Sequence, residues 1–154
     1  MSTNRYKVLL VDDDLVQVDM ARRAVAEFCP DIELTTVAGG DVVLDWLHAS
    51  TRNNDQLPNV ILMDLKLPKL DGLAVLRTLR GFAATSDIPV VVCSAEYTQA
   101  EVLMSYRAGA NSFVAKPNDF EQCVELFRER LAYWMNSDHH KLISAAKDGA
   151  TGRI

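Results

Sequence analysis

The chain has 154 residues, of which 49% are hydrophobic and 24% charged, with 16 Lys and Arg against 21 Asp and Glu and a net charge of −5. That length suits one domain plus a short tail, and the composition is globular. An acidic chain with no basic stripe is not built to bind nucleic acid, and no apolar run approaches the ~18 residues of a membrane span. The first residues run within a few positions into three aspartates and lack the apolar core and cleavage site of a signal peptide, so a cytoplasmic protein is expected. Cys29, Cys93 and Cys123 share no metal-ligand spacing with one another or with His48, His139 and His140, and are read as buried thiols.

Strand-like and helix-like stretches alternate along the chain. Lys7–Val11 is an apolar run that stops at acids, the mark of a buried parallel strand. Leu15–Phe28 carries Val18, Ala21, Val25 and Phe28 at helical spacing, and Pro30 closes it. Ile32–Val37 reads as a strand. Gly39-Gly40 is a turn, and Asp41 is placed to cap a helix reaching about His48. A polar loop covers Ala49–Pro58. Val60–Met63 is a second apolar strand, ended by Asp64. Leu65–Gly72 has the turn chemistry of Pro68 and Asp71-Gly72, and Leu73–Leu79 is helical. Val90–Cys93 is a third apolar strand, ended by Ser94. A helix runs from Thr98 or Gln99 to Ala108, with Gly109 as its stop. Ser112–Ala115 is the last strand, and Lys116-Pro117 follows. Asp119 caps a helix from Phe120 to about Met135, whose stripe of Phe120, Val124, Phe127, Leu131 and Trp134 is read as core.

Five strands alternating with five helices imply an α/β domain, a doubly wound parallel sheet with helices on both faces. Sites in such sheets lie beyond the carboxyl ends of the strands. Those ends carry Asp12-Asp13-Asp14, Asp64, Ser94 and Lys116. Two like charges ~4 Å apart in a partly shielded site cost about 4 kcal/mol, so clustered carboxylates call for a cation. With oxygen ligands alone a hard ion is favoured, and Mg²⁺ fits best. Asp14 can instead be the cap of the first helix. Asp64 is the candidate nucleophile, since a carboxylate can form an acyl phosphate. Phosphoryl transfer is mainly positioning and charge neutralisation, which Mg²⁺, the Lys116 ammonium and the Ser94 hydroxyl would supply.

The segments LLVDDD, VILMDLKLPKLDG, VVVCSAE and ANSFVAKP, in this order and spacing, resemble the signature of bacterial response-regulator receivers over residues 5–135. The resemblance implies the flavodoxin-like strand order 2-1-3-4-5 and a two-component role, with a sensor histidine kinase as phosphodonor and no enzyme activity beyond self-catalysed phosphotransfer and dephosphorylation. It implies that Asp64 is the phosphoacceptor and that Asp13, with Asp12 partly through water, holds the magnesium. The backbone carbonyl of Lys66 would be the third metal ligand, Ser94 and Phe113 the switch pair, and Lys116 the site lysine. It also implies a cis Lys116–Pro117 bond. The ending FRERLAYWMNSDHHKL is most similar to regulators that pair with phytochrome-type kinases, so a bacteriophytochrome is the expected partner.

A phosphatase with an aspartate nucleophile would need a second acid where Lys66 stands, and a flavin binder would need a Ser/Thr/Gly phosphate loop where the aspartates are. A receiver-like scaffold that is never phosphorylated is the alternative. Residues 136–154 are too few for an output domain, so signalling through protein contacts is expected. Lys66 and Glu96, each two residues past a site residue, are expected to pair across its mouth. A homodimer is expected through Val102 and Tyr106 on one helix and Leu126 and Tyr133 on the last, or through the tail as an arm carrying Leu142, Ile143, Ala145 and Ala146.

Overall fold

A computed structural model describes residues 5–50 and 57–135. The strands are β1 (Tyr6–Val11), β2 (Ile32–Val37), β3 (Val60–Asp64), β4 (Val90–Ser94) and β5 (Ser112–Ala115). They form one parallel sheet in the order β2-β1-β3-β4-β5. The helices are α1 (Leu15–Phe28), α2 (Gly40–Ser50), α3 (Gly72–Gly81) and α4 (Gln99–Ala108), followed by a final helix in three stretches. These are α5 (Phe120–Glu125), a π-helical turn (Leu126–Arg130) and α6 (Leu131–Met135). No described helix is long and apolar enough to cross a membrane. The expected tail, 136–154, and most of the expected loop after α2 lie outside the described residues.

The period of two along each strand divides the core into two layers. Val8, Leu10, Val60, Leu62, Val91, Cys93 and Val114 pack with α1 and the last helix. Leu9, Val11, Ile61, Met63, Val90 and Val92 pack with α2 and α3 on the other face. Both faces of β3 and β4 are covered, which is why those strands read as unbroken apolar runs.

Local signals act where expected. Asp14 caps α1, its carboxylate accepting from the Val16 and Gln17 N–H groups at 3.0 and 3.4 Å. Thr98 and Glu101 form a reciprocal capping box on α4. Gly109 ends α4 at φ 114°, in the left-handed region where a side chain would be strained. Asp41 differs from expectation. It lies inside the first turn of α2 and pairs at the surface with Lys69 at 3.7 Å.

The last helix also departs from a uniform 3.6 period. The π turn takes one extra residue per turn and rotates the residues beyond it. Leu126 is drawn into the core at 5% exposure beside Cys123, Phe127, Leu131 and Met135, while Phe120, Val124 and Trp134 are only partly buried. Leu126 therefore cannot belong to an exposed interface row, and that expectation is corrected. Tyr133 is half exposed and meets Trp134 edge to face at 4.8 Å.

At the opposite end of the sheet from the aspartates, Arg80 fastens α3 to two loops. Its Nη1 donates to the carbonyls of Thr85, Ser86 and Ile88, its Nε and Nη2 to the carbonyl of Gly109, and its Nη2 also to Asn111 Oδ1. That same Asn111 oxygen accepts from the Val90 N–H at 2.9 Å, at the start of β4. Burial lowers the pKa of Arg80, with Asp87 opposing the shift. Arg80→Ala should take the guanidinium donor from the Ser86, Ile88 and Gly109 carbonyls and reduce unfolding free energy by about 2–3 kcal/mol in urea denaturation. A loss below experimental error would show the network to be ornamental.

Candidate functional site

The predicted residues arrive at one edge from different chain segments. β1 delivers Asp12, β3 ends on Asp64, β4 ends on Ser94, and β5 leads directly into Lys116. Parity then sorts them. Asp64 shares the side of Leu62 and Val60, towards α1, and Lys116 follows Val114 by two residues on that side. Ser94 shares the parity of Val90 and Val92, on the other face.

The resulting geometry is a buried cation between two buried carboxylates. Lys116 Nζ lies 2.7 Å from Asp64 Oδ2 and 3.0 Å from Asp12 Oδ2, with the lysine side chain 9% exposed. Burial alone would lower the pKa of Lys116, but its hydrogen bonds to Asp64 and Asp12 prevail and the net direction is up. Burial raises Asp12, against the Asp14 N–H, which donates to its Oδ1 at 2.9 Å, and against Lys116. Asp13 is exposed, yet carboxylate oxygens of Asp12, Asp13 and Asp64 all lie within 4.8 Å of one another. Three acids with no His or Cys among them form a donor set suited to a hard divalent cation.

The supporting parts were not visible in the sequence. Gly72 N–H donates to the Leu65 carbonyl at 2.9 Å, and a Cβ at Gly72 would sit 2.7 Å from the Asp64 carbonyl oxygen, so α3 can start this close only with glycine. Gln17 Nε2 donates to the Pro117 carbonyl at 3.1 Å and ties the segment carrying Lys116 to α1. Among the described residues no peptide bond is cis, so Lys116–Pro117 is trans, contrary to the expectation from family resemblance. Trans is the form ordinarily favoured, by ~0.5–1 kcal/mol before proline. Cys93 lies opposite Asp64 in the β3–β4 register, and burial pushes its thiol up to about 12, leaving it neutral.

Other predicted residues stand apart. The Ser94 hydroxyl is buried and donates to the Glu96 carbonyl at 3.0 Å, not to Asp64. Phe113 meets Tyr97 edge to face at 4.8 Å, and its N–H donates to Tyr106 Oη at 3.1 Å. Tyr97 was missed because three residues past a strand end it reads as loop. Lys66 N–H donates to Asp64 Oδ1 at 3.1 Å. Lys66 and Glu96 are both exposed and form no ion pair with each other among the described residues, so the expected pairing across the mouth is absent.

The profile of the response regulator receiver domain matches residues 8–128. The chain belongs to this family. Similar proteins include the probable methanogenesis regulatory protein FilR2 of Methanothrix harundinacea, 29% identical over 130 residues and covering 84% of each chain. Response regulator Rcp1 of Synechocystis is 26% identical over 131 residues, 84% of this chain and 89% of Rcp1. The Mn²⁺-bound structure of Rcp1 superposes with a TM-score of 0.72 over 82% of this chain and 94% of that chain. The phosphorylated cyanobacterial phytochrome response regulator RcpA superposes with a TM-score of 0.76 at 27% identity, over 86% of this receiver and 96% of RcpA. The receiver is a signalling domain of a two-component response regulator, and its family implies a histidine kinase partner.

Lys116→Met would leave two buried carboxylates facing each other. We expect a loss of about 3 kcal/mol in EDTA at neutral pH, the usual scale for removing one member of a buried pair. Burial already raises the Asp12 carboxyl above its ordinary value, and losing the ammonium removes a contact that holds it down. Such a group favours the fold while protonated and ceases to as pH climbs through the raised value. The deficit should therefore shrink at mildly acidic pH. Urea denaturation at both pH values checks this, and an equal loss at each contradicts it.

Proposed function

We propose that Asp64 takes a phosphoryl group from the phosphohistidine of a phytochrome-type sensor kinase in a Mg²⁺-dependent reaction. The carrying observation is the Lys116 ammonium held between Asp64 and Asp12, with Asp13 at the mouth. An Asp64 carboxylate oxygen attacks phosphorus, the P–N bond breaks, and its electron pair returns to the imidazole. The product is an acyl phosphate on Asp64. Asp12, Asp13 and Asp64, with the Lys66 carbonyl, would hold the magnesium. When bound, that ion supplies positive charge against the phosphoryl oxygens. Lys116, already beside the acceptor oxygen, moves its hydrogen bond from Asp64 to a phosphoryl oxygen. Ser94 leaves the Glu96 carbonyl to donate to another, and Phe113, which rests on Tyr97, fills the space that Ser94 vacates. The likeness to Rcp1 and RcpA supports a bacteriophytochrome partner, and a kinase of that kind supports a cytoplasmic setting.

Acetyl phosphate with Mg²⁺ should add one phosphoryl mass to the intact chain, and EDTA or Asp64→Asn should abolish the addition. The same added mass on Asp64→Asn would place the acceptor elsewhere.

The receiver, 5–135, is proposed to act as a homodimer, with 136–154 available as an arm. Val102 is half buried, while Tyr106 and Tyr133 are exposed, which supports a surface on α4 and the last helix. Light scattering should give a dimer for the intact chain, and a dimer after truncation at Asn136 would place the contact on the helices. A monomer for the intact chain rejects the dimer.

A further inference from the structure

We infer that the groove between α3 and α4 is a docking site for a partner-protein segment that carries carboxylates beside a bulky apolar side chain. This surface shares no residue with the phosphoryl site and does not rest on it. Arg77, Arg80, Met104, Arg107 and Ala108 line an open cavity of about 400 Å³. Arg77 and Arg107 are exposed, and neither forms an ion pair among the described residues. That is unusual company for arginines in a chain of net charge −5, where acids outnumber bases. Arg80 between them cannot swing out, because its guanidinium is committed to backbone carbonyls and Asn111. It acts as a fixed positive charge under the groove, while the other two arginines are free to fork onto carboxylates.

The surface between the arginines is apolar. Met104, which lines the groove with Ala108, is 43% exposed, and Leu103 beside the groove is 50% exposed. Only Ser105 of α4 is buried, so this helix leaves most of its apolar side chains uncovered. An inorganic anion would engage the guanidinium groups but leave Met104 bare. A nucleic acid draws affinity from many phosphate contacts, and two free arginines on a net-negative chain cannot supply them. Carboxylates flanking a Leu- or Phe-like side chain satisfy both halves of the groove, charge against charge and apolar against thioether.

The test is an NMR titration of the isotope-labelled full chain with a synthetic peptide alternating Glu and Leu. Shifts should be saturable and centred on Arg77, Met104, Arg107 and Ala108, and affinity should fall roughly tenfold from low to physiological salt. The R77E/R107E variant should lose the Glu-Leu peptide and gain a Lys-Leu one. Its thermal melt and acetyl-phosphate labelling should match the parent, since both positions are exposed and neither contributes to the Asp12, Asp64 and Lys116 cluster. The proposal is overturned if shifts map elsewhere or the variant binds the Glu-Leu peptide as before. Equal binding of a Gln-Leu peptide, inorganic phosphate or oligothymidylate also overturns it. So does concentration-dependent shifting of these residues without peptide, which assigns the groove to a second copy of the chain.

Discussion

Two carboxylates with almost no access to water meet at the carboxyl edge of this sheet, and one ammonium makes that tolerable. Asp12 and Asp64 are 5% and 7% exposed, and Lys116 reaches both. Carboxylates this close and this dry repel strongly without a counter-charge. Much of the surrounding structure serves to keep that ammonium in place. β5 must lie beside β4 for Lys116 to emerge at the right edge, and Gln17 ties down the carbonyl of the adjoining Pro117. The glycine at position 72 lets α3 begin against the backbone of Asp64 itself.

The alternation of side chains along the strands keeps two jobs apart. Asp64 and Lys116 follow the parity of the layer that packs on α1 and the last helix. Ser94 and Phe113 belong with the layer that packs on α2 and α3. A charge change on one face thus has to be passed through the end of β4 to be felt on the other. Ser94 sits at that crossing, with its hydroxyl on the Glu96 carbonyl and Tyr97 and Phe113 in contact beyond it.

The sequence was most informative where burial imposes a simple rule. Apolar runs stopped by Asp or Ser marked β1, β3 and β4 and the polar edge, and the strand order followed from resemblance to receivers. It was least informative where one residue changes phase. Leu126 looked exposed because the core stripe was drawn through Phe120, Val124 and Trp134, whereas the buried row runs through Cys123, Leu126, Phe127, Leu131 and Met135. Arg80 drew no reading from the sequence, because its carbonyl partners lie up to 29 residues away and carry no sequence signature. Gly72 read as turn chemistry, and only the close approach of the Asp64 carbonyl reveals the steric reason. The Asp12–Asp13–Asp64 cluster was legible as a constellation, but the direct bridge from Lys116 to Asp12 needed coordinates.

The edge position of β5 bears on how the protein is made. A ribosome releases Asp12 early and Asp64 midway, and Lys116 only once the last of the five strands has emerged. Until then the growing chain can assemble β2, β1, β3 and β4 but has no ammonium to set between the two acids. The acids must stay hydrated, protonated or bound to a free cation. Insertion of the outermost strand neutralises the interior and completes the chemical site in one event. A chain that stalls short of β5 therefore gains neither the full stability of the fold nor a working acceptor.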